Sequence, residues 1–98
     1  MKYAIEFSPV VESHLTVLTA RQRRIVLSAI EQRLSSEPGV ETKNRKPMRP
    51  NPLAPWELRV GNLRVYYDID ETAGLVVVLA VGTKEGNMVR IGGEVIEL

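Results

Sequence analysis

The spacing of hydrophobic residues changes period along the chain, and each change marks an element. Residues 2–7 alternate, with Tyr3, Ile5 and Phe7 on one side, which predicts an opening strand. Ser8 and Pro9 then supply an N-cap and a first helical residue. Val11, Leu15 and Leu18 follow at helical spacing, so a first helix is expected over residues 9–18. Thr19 and Gln22 have the form of a capping box, which predicts a second helix over residues 20–36, stopped by Pro38 and Gly39. Its apolar face is Leu27, Ile30 and Leu34, widened by Val26 and Ala29, while Arg21, Arg23, Arg24, Glu31 and Arg33 keep the other side wet. The two helices are expected to pair as an antiparallel hairpin.

The strongest pattern is WELRVGNLRVYYDID over residues 56–70, two alternating runs around Gly61-Asn62, the spacing and residue types of a tight β-hairpin. Pairing Val60 with Leu63 sets Arg59 opposite Arg64, Leu58 opposite Val65, Glu57 opposite Tyr66 and Trp56 opposite Tyr67. A slip by one residue would bury charge, so this register is strongly preferred. One face then carries Trp56, Leu58, Val65 and Tyr67; the other carries Glu57, Arg59, Arg64 and Tyr66. Before the hairpin, residues 40–55 contain Pro47, Pro50, Pro52 and Pro55 and few large apolar side chains, which reads as a long extended connection of a kind that is often functional.

After the hairpin, residues 70–74 form a turn. Residues 75–81 are an unbroken apolar run, the signature of a central strand covered on both faces. Residues 82–87 read as a polar loop holding Lys84 and Glu85, and residues 88–98, with Gly92-Gly93 between short apolar pieces, as an irregular edge hairpin. The order is β-α-α-β-β-β, an α+β fold with an antiparallel-rich sheet packed against an N-terminal helical hairpin. At 98 residues the expectation is one domain over residues 1–98.

Composition changes this picture little, and charge distribution changes it more. Hydrophobic residues make up 44% and charged residues 26%, an ordinary globular balance, with a formal net charge of +1. Between residues 43 and 64, however, lie six basic residues (Lys43, Arg45, Lys46, Arg49, Arg59, Arg64) and one acid, Glu57, leaving the rest of the chain net acidic. A localised basic stretch points to an anionic partner. The absence of cysteine removes disulfides and thiolate chemistry and fits a cytoplasmic protein. The first residues lack a signal-peptide core, and the longest apolar run is too short to span a bilayer, so no membrane role is expected.

On these residues the chain resembles the RelE/ParE superfamily of bacterial type II toxin–antitoxin systems. The hairpin follows that family's aromatic-x-Leu-Arg-x-Gly-x-x-Arg-Val-x-Tyr pattern, Val81-Gly82-Thr83-Lys84 is similar to its last strand and basic turn, and residues 41–59 resemble a branch with a basic, proline-rich loop. The resemblance implies a toxin silenced by a cognate antitoxin, with operator DNA reached only through the antitoxin complex. RelE-like members cleave mRNA on the ribosome, whereas ParE-like members inhibit DNA gyrase. A member retained only as a partner-binding, operator-regulating module is a third reading.

Carried over residue by residue, the resemblance sets Arg59, Arg64 and Lys84 at the basic positions of the nuclease site. Glu57 stands where a second lysine is often found, and Arg90 where a tyrosine or histidine is typical. The implied reaction is attack of a 2′-hydroxyl on the adjacent phosphate, with no metal or cofactor required. Two arginines supply forked donors to phosphate oxygens. Since arginine stays protonated, proton transfer falls to Lys84 first and to Glu57 next, with Tyr66 also a candidate. The alternative for Glu57 is a carboxylate that holds Arg59 or Arg64 by an ion pair. Lys43, Arg45, Lys46 and Arg49 are candidates for tracking RNA phosphates, as against an ordinary solvated loop, with Arg90 a further RNA-binding candidate and Tyr66 a candidate for stacking a base. His14, the one histidine, is expected on the surface or in helix packing.

Overall fold

The computed structural model describes residues 2–97. Nine elements follow in order: β1 (Ala4–Phe7), α1 (Val11–Thr16), α2 (Ala20–Leu34), β2 (Arg45–Pro47), β3 (Trp56–Val60), β4 (Leu63–Asp70), β5 (Leu75–Glu85), β6 (Met88–Ile91) and β7 (Glu94–Glu97). The strands form one sheet in the order β2-β3-β4-β5-β6-β7, antiparallel throughout except that β1 adds in parallel to β5. The α+β class holds, with more strand than the sequence pattern indicates.

The hairpin of β3 and β4 has the expected register: Val60 with Leu63, Arg59 with Arg64, Leu58 with Val65, Glu57 with Tyr66 and Trp56 with Tyr67. Gly61, at φ 59°, takes the left-handed first position of the turn, which only glycine adopts without strain. Behind it, Leu58, Val65, Tyr67, Val76, Val78 and Val81 face Val26, Ile30 and Leu34 of α2 and Val11 of α1 in the main core. Trp56 stacks on Tyr67 at 6.1 Å between ring centroids, and the Tyr67 hydroxyl donates to the carbonyl of Pro38 at 2.8 Å.

The helices differ from expectation at their ends. Thr19 does make the capping box with Gln22, but α2 stops at Leu34. Helix α1 is shorter than predicted, beginning at Val11 and ending at Thr16, and Ser8 is not its N-cap. Instead the Ser8 amide extends the β1 ladder by donating to the carbonyl of Val78, and its own carbonyl closes a turn onto the Val11 amide. Arg23, expected in solvent, is half-buried and donates to the carbonyls of Leu15 and Leu18, capping the end of the first helix region. Leu27 is exposed rather than core, because Val26, Ala29, Ile30 and Leu34 already cover β4; it lies beside Ile5 and exposed Phe7.

Strand β5 runs through the expected polar loop to Glu85, so Lys84 sits on a strand. The C-terminal segment is a regular hairpin, β6 with β7, whose Gly92-Gly93 turn has both φ angles positive; Leu98 lies outside the described residues. On one edge of β5, β1 covers Leu75 to Val78 and β6 covers Gly82 to Glu85. His14 fills the interval: the Val81 amide donates to its Nδ1 at 3.3 Å, and the ring packs against Gly92, where an added Cβ would come within 3.0 Å of Cδ2. Burial lowers the pKa of this imidazole.

The other face of the sheet has a smaller core of Ala54, Tyr66, Ala80, Val89 and Ile91, with Met48, Leu53, Leu79 and Ile96 against it. The connection over residues 40–55 is therefore packed rather than loose. Its organiser is Asn51, whose Oδ1 accepts from the amides of Leu53 and Ala54 while Nδ2 donates to the carbonyls of Arg49 and Ala54.

Candidate functional site

The second face carries its charges in rows set by the ladder. One row runs Lys46, Glu57, Tyr66, Ala80 across β2, β3, β4 and β5. The next runs Arg59, Arg64, Gly82, Ile91 across β3, β4, β5 and β6. Neighbouring strands lie about 4.8 Å apart, so the two guanidinium-bearing residues are immediate neighbours. Lys84, on the same face two residues beyond Gly82, stands diagonally about 7–8 Å from Arg64 at the Cα level and is tied to the hairpin tip by its amide, which donates to the carbonyl of Asn62 at 2.7 Å. Gly82 leaves the row without a side chain next to Arg64. A Cβ there would lie 2.4 Å from the carbonyl oxygen of Arg90 and 2.7 Å from Ile91 Cγ1, so the close approach of β6 requires glycine.

Arg59, Arg64, Lys84 and Glu57 are thus brought to one place. Arg59 is half exposed, and its Nε donates to Glu57 Oε1 at 2.8 Å; the Glu57 side chain is only 12% exposed, so this carboxylate is largely covered. Arg64 Nη1 donates to the carbonyls of Gly61 and Leu63 at 2.8 and 2.9 Å, which anchors one edge of its guanidinium and leaves the other for a ligand. Like charges opposed on neighbouring strands are destabilising by about 0.2–1 kcal/mol, and an anion lying across them reverses that sign. The face is open. A hollow of about 420 Å³ lined by residues 48–55 and Leu79 includes none of Arg59, Arg64 and Lys84, so a ligand on this face would itself have to exclude water.

Several sequence candidates fall elsewhere. Tyr66 is fully buried in the second core and cannot stack a base, because the connection and β6 cover a face that the hairpin alone presents as polar. Burial first, and then the Glu57 carboxylate, push its phenol well above the ordinary value. Arg45 pairs with Leu58, hence on the helix side, and donates to the carbonyls of Val40, Arg33 and Ser36; it caps the end of α2 and is not available for RNA. Arg90 pairs with Thr83 and Val95, on the opposite face from Arg64, and binds Glu85 at 3.2 Å, so it does not complete the site. Lys46 shares the row with Glu57 but pairs with Glu41 at 3.5 Å. Lys43 and Arg49 are exposed, Lys43 beside Arg33 and Arg49 on the Asn51 turn.

Sequence reasoning missed Asn51, Gly82 and the His14 contact. A Pro-Asn-Pro run is a turn signal from which Asn51 was accessible; nothing local marks the other two. Among the described residues no group of three His, Asp or Glu side chains is placed to hold a metal ion, and no helix is long and apolar enough to cross a membrane.

No protein-family model and no curated protein sequence matches the chain. Solved structures similar to it include the toxin–antitoxin complex RelBE2 from Mycobacterium tuberculosis, with a TM-score of 0.75 and 27% identity over 86% of this chain and 93% of that one. They also include the archaeal RelE-RelB complex from Pyrococcus horikoshii OT3, with a TM-score of 0.67 and 21% identity over 88% and 98%, a likeness of fold alone.

Proposed function

Given the RelE-like toxin fold of this chain, we propose that it is the toxin of a toxin–antitoxin pair, that a cognate antitoxin is its partner, and that it cleaves mRNA on the ribosome. The observation that carries the reading is the row Arg59, Arg64, Gly82 with Lys84 beside it, a fixed set of cations on an open face. In the reaction, the RNA 2′-oxygen bonds to phosphorus as its proton passes to a base, and the P–O5′ bond breaks as O5′ takes up a proton. The products are a 2′,3′-cyclic phosphate and a 5′-hydroxyl. Arg59 and Arg64 neutralise the charge gathering on the nonbridging oxygens, worth about 10²–10³ in rate for each well-placed donor. Lys84 donates the proton to O5′, and Glu57 accepts the one from the 2′-hydroxyl.

One observation favours a second reading. With Arg90 on the far face and Tyr66 buried, the exposed face is richer in cations than in acid–base groups, which suits a ParE-like inhibitor that holds DNA gyrase without cutting anything. Purified protein added separately to programmed ribosomes and to gyrase distinguishes the two. Cleaved mRNA with supercoiling untouched supports the nuclease, and blocked supercoiling with intact mRNA replaces it.

A further inference from the structure

A strand with one side unpaired presents its outward amides and carbonyls as a template for another strand unless it is covered or blunted. Among the described residues β2, β7 and β1 each have such an edge. β2 is short, carries Lys46 and ends in Pro47, and β7 has Glu94 and Glu97 at its two ends, so both are blunted by charge or proline. The edge of β1 is built differently.

The Ala4 amide donates to the carbonyl of Gly74 and the Ser8 amide to that of Val78, which fixes the parallel ladder so that Ala4, Glu6 and Ser8 bond to β5. The amides and carbonyls of Ile5 and Phe7, at the alternate positions, therefore point away from the sheet. The Tyr3 amide is taken by the carbonyl of Ser35, so the open length is Ile5 to Phe7. Their side chains lie on the α2 side, where with Leu27, Ile30 and Glu31 they line a hollow of about 340 Å³. Phe7 is 41% exposed and Leu27 39%, so the unpaired backbone borders an apolar groove. Glu6 points to the opposite face, in a ladder row with Val77 and Asp68. That row ends in a carboxylate at the open edge.

This edge defines its occupant. A strand laid on it has side chains opposite Ile5 and Phe7 that enter the apolar groove, and one opposite Glu6 on the other face, where a cation is favoured. A second copy of the chain does not meet these terms. Antiparallel pairing of β1 with itself either sets the two Glu6 carboxylates opposite each other or, centred on Ile5, calls on the Tyr3 amide that Ser35 already holds.

We propose that β1 is the docking edge for an extended segment of the partner protein, one in which a Lys or Arg stands between two apolar residues, and that this segment adds to the sheet as a further strand. The identity of the partner as the antitoxin rests on the reading given above.

Amide hydrogen exchange of the chain, alone and bound to its cognate antitoxin, tests the docking edge. Alone, the Ile5 and Phe7 amides are expected to exchange fast and those of Glu6 and Ser8 slowly; in the complex Ile5 and Phe7 slow by at least about tenfold. Exchange at Ile5 and Phe7 as fast in the complex as in the free chain overturns the proposal. Protection of both amides in the free chain, rising with concentration alongside a doubled mass in sedimentation, also overturns it, since a second copy then covers the edge.

Two variants read the side chains. Phe7→Ser/Leu27→Ser, confirmed as folded by urea unfolding, is expected to bind the antitoxin about tenfold more weakly. Glu6→Lys is expected to bind about three- to tenfold more weakly and to be rescued by changing the basic residue of the antitoxin segment to Glu. Wild-type affinity in either variant refutes the docking edge while leaving the toxin–antitoxin reading intact. A wild-type chain that binds no antitoxin removes that reading, and the proposal with it.

Discussion

Replacing His14 by alanine tests how the two halves of the β5 edge are joined. The substitution leaves the Val81 amide without its acceptor in a gap that neither β1 nor β6 reaches. An unmet buried donor costs about 1–3 kcal/mol, and truncating a side chain packed between α1, β5 and the Gly92 turn adds a cavity term, for a total of about 2–4 kcal/mol. For a chain of this size that lowers Tm by on the order of 10–20 °C. The same contact sets a pH dependence. Burial holds the folded-state pKa below the ordinary 6.5, so as pH falls the unfolded chain takes up the proton first. The stabilisation contributed by neutral His14 is full above about 6.5 and declines as pH drops through that value toward the folded one. A protonated Nδ1 would also turn a second donor toward the Val81 amide. Urea unfolding of wild type and His14→Ala at about pH 7.5, 6.5 and 5.5 isolates the effect from carboxylate titration, which both proteins share. Wild type is expected to lose its advantage toward the acid end. Parallel pH dependences, or a variant within about 0.5 kcal/mol of wild type, would refute the reasoning.

Arg59→Ala leaves the largely covered Glu57 carboxylate without its cation, a cost of about 1–3 kcal/mol offset in part by relief of the facing charge of Arg64, so a loss of about 1–2 kcal/mol is expected by chemical denaturation. Single-turnover mRNA cleavage by the same variant is expected to fall about 10²–10³-fold. Gly82→Ala forces a Cβ onto the backbone of Arg90 and is expected to cost about 1–3 kcal/mol or more, with amide exchange accelerating first in β6 and β7. Asn51→Ala leaves the turn over residues 48–55 without its central hydrogen bonds; a loss of about 1–3 kcal/mol and faster proteolysis within that segment are the expected results.

The hairpin was legible because two signals agree: period-two alternation fixes which side faces the core, and Gly61-Asn62 fixes the turn, so the facing of Arg59 and Arg64 followed. The capping box at Thr19 was legible for a similarly local reason. Ser8 misled because its backbone is claimed by β5, a partner seventy residues away in the sheet that no local signal announces. Tyr66 looked polar because a hairpin in isolation has one wet face; the proline-rich connection and β6 cover that face, and their contribution depends on long-range packing. Arg90 stands where the resembled family carries a tyrosine or histidine, but the register of β6 on β5 turns it away. Arg45 counted toward a basic loop until β2 pairing placed it on the helix side.

The chemistry of the cut is the most direct test of the Arg59, Arg64 and Lys84 face. End-labelled mRNA on programmed ribosomes, treated with the wild-type protein and with Arg64→Ala in the absence of antitoxin, gives both the cleavage and the nature of its ends. A 2′,3′-cyclic phosphate and a 5′-hydroxyl are expected with wild type, and little or no product with Arg64→Ala. Intact mRNA at saturating wild-type protein, or undiminished cleavage by the variant, would contradict this expectation.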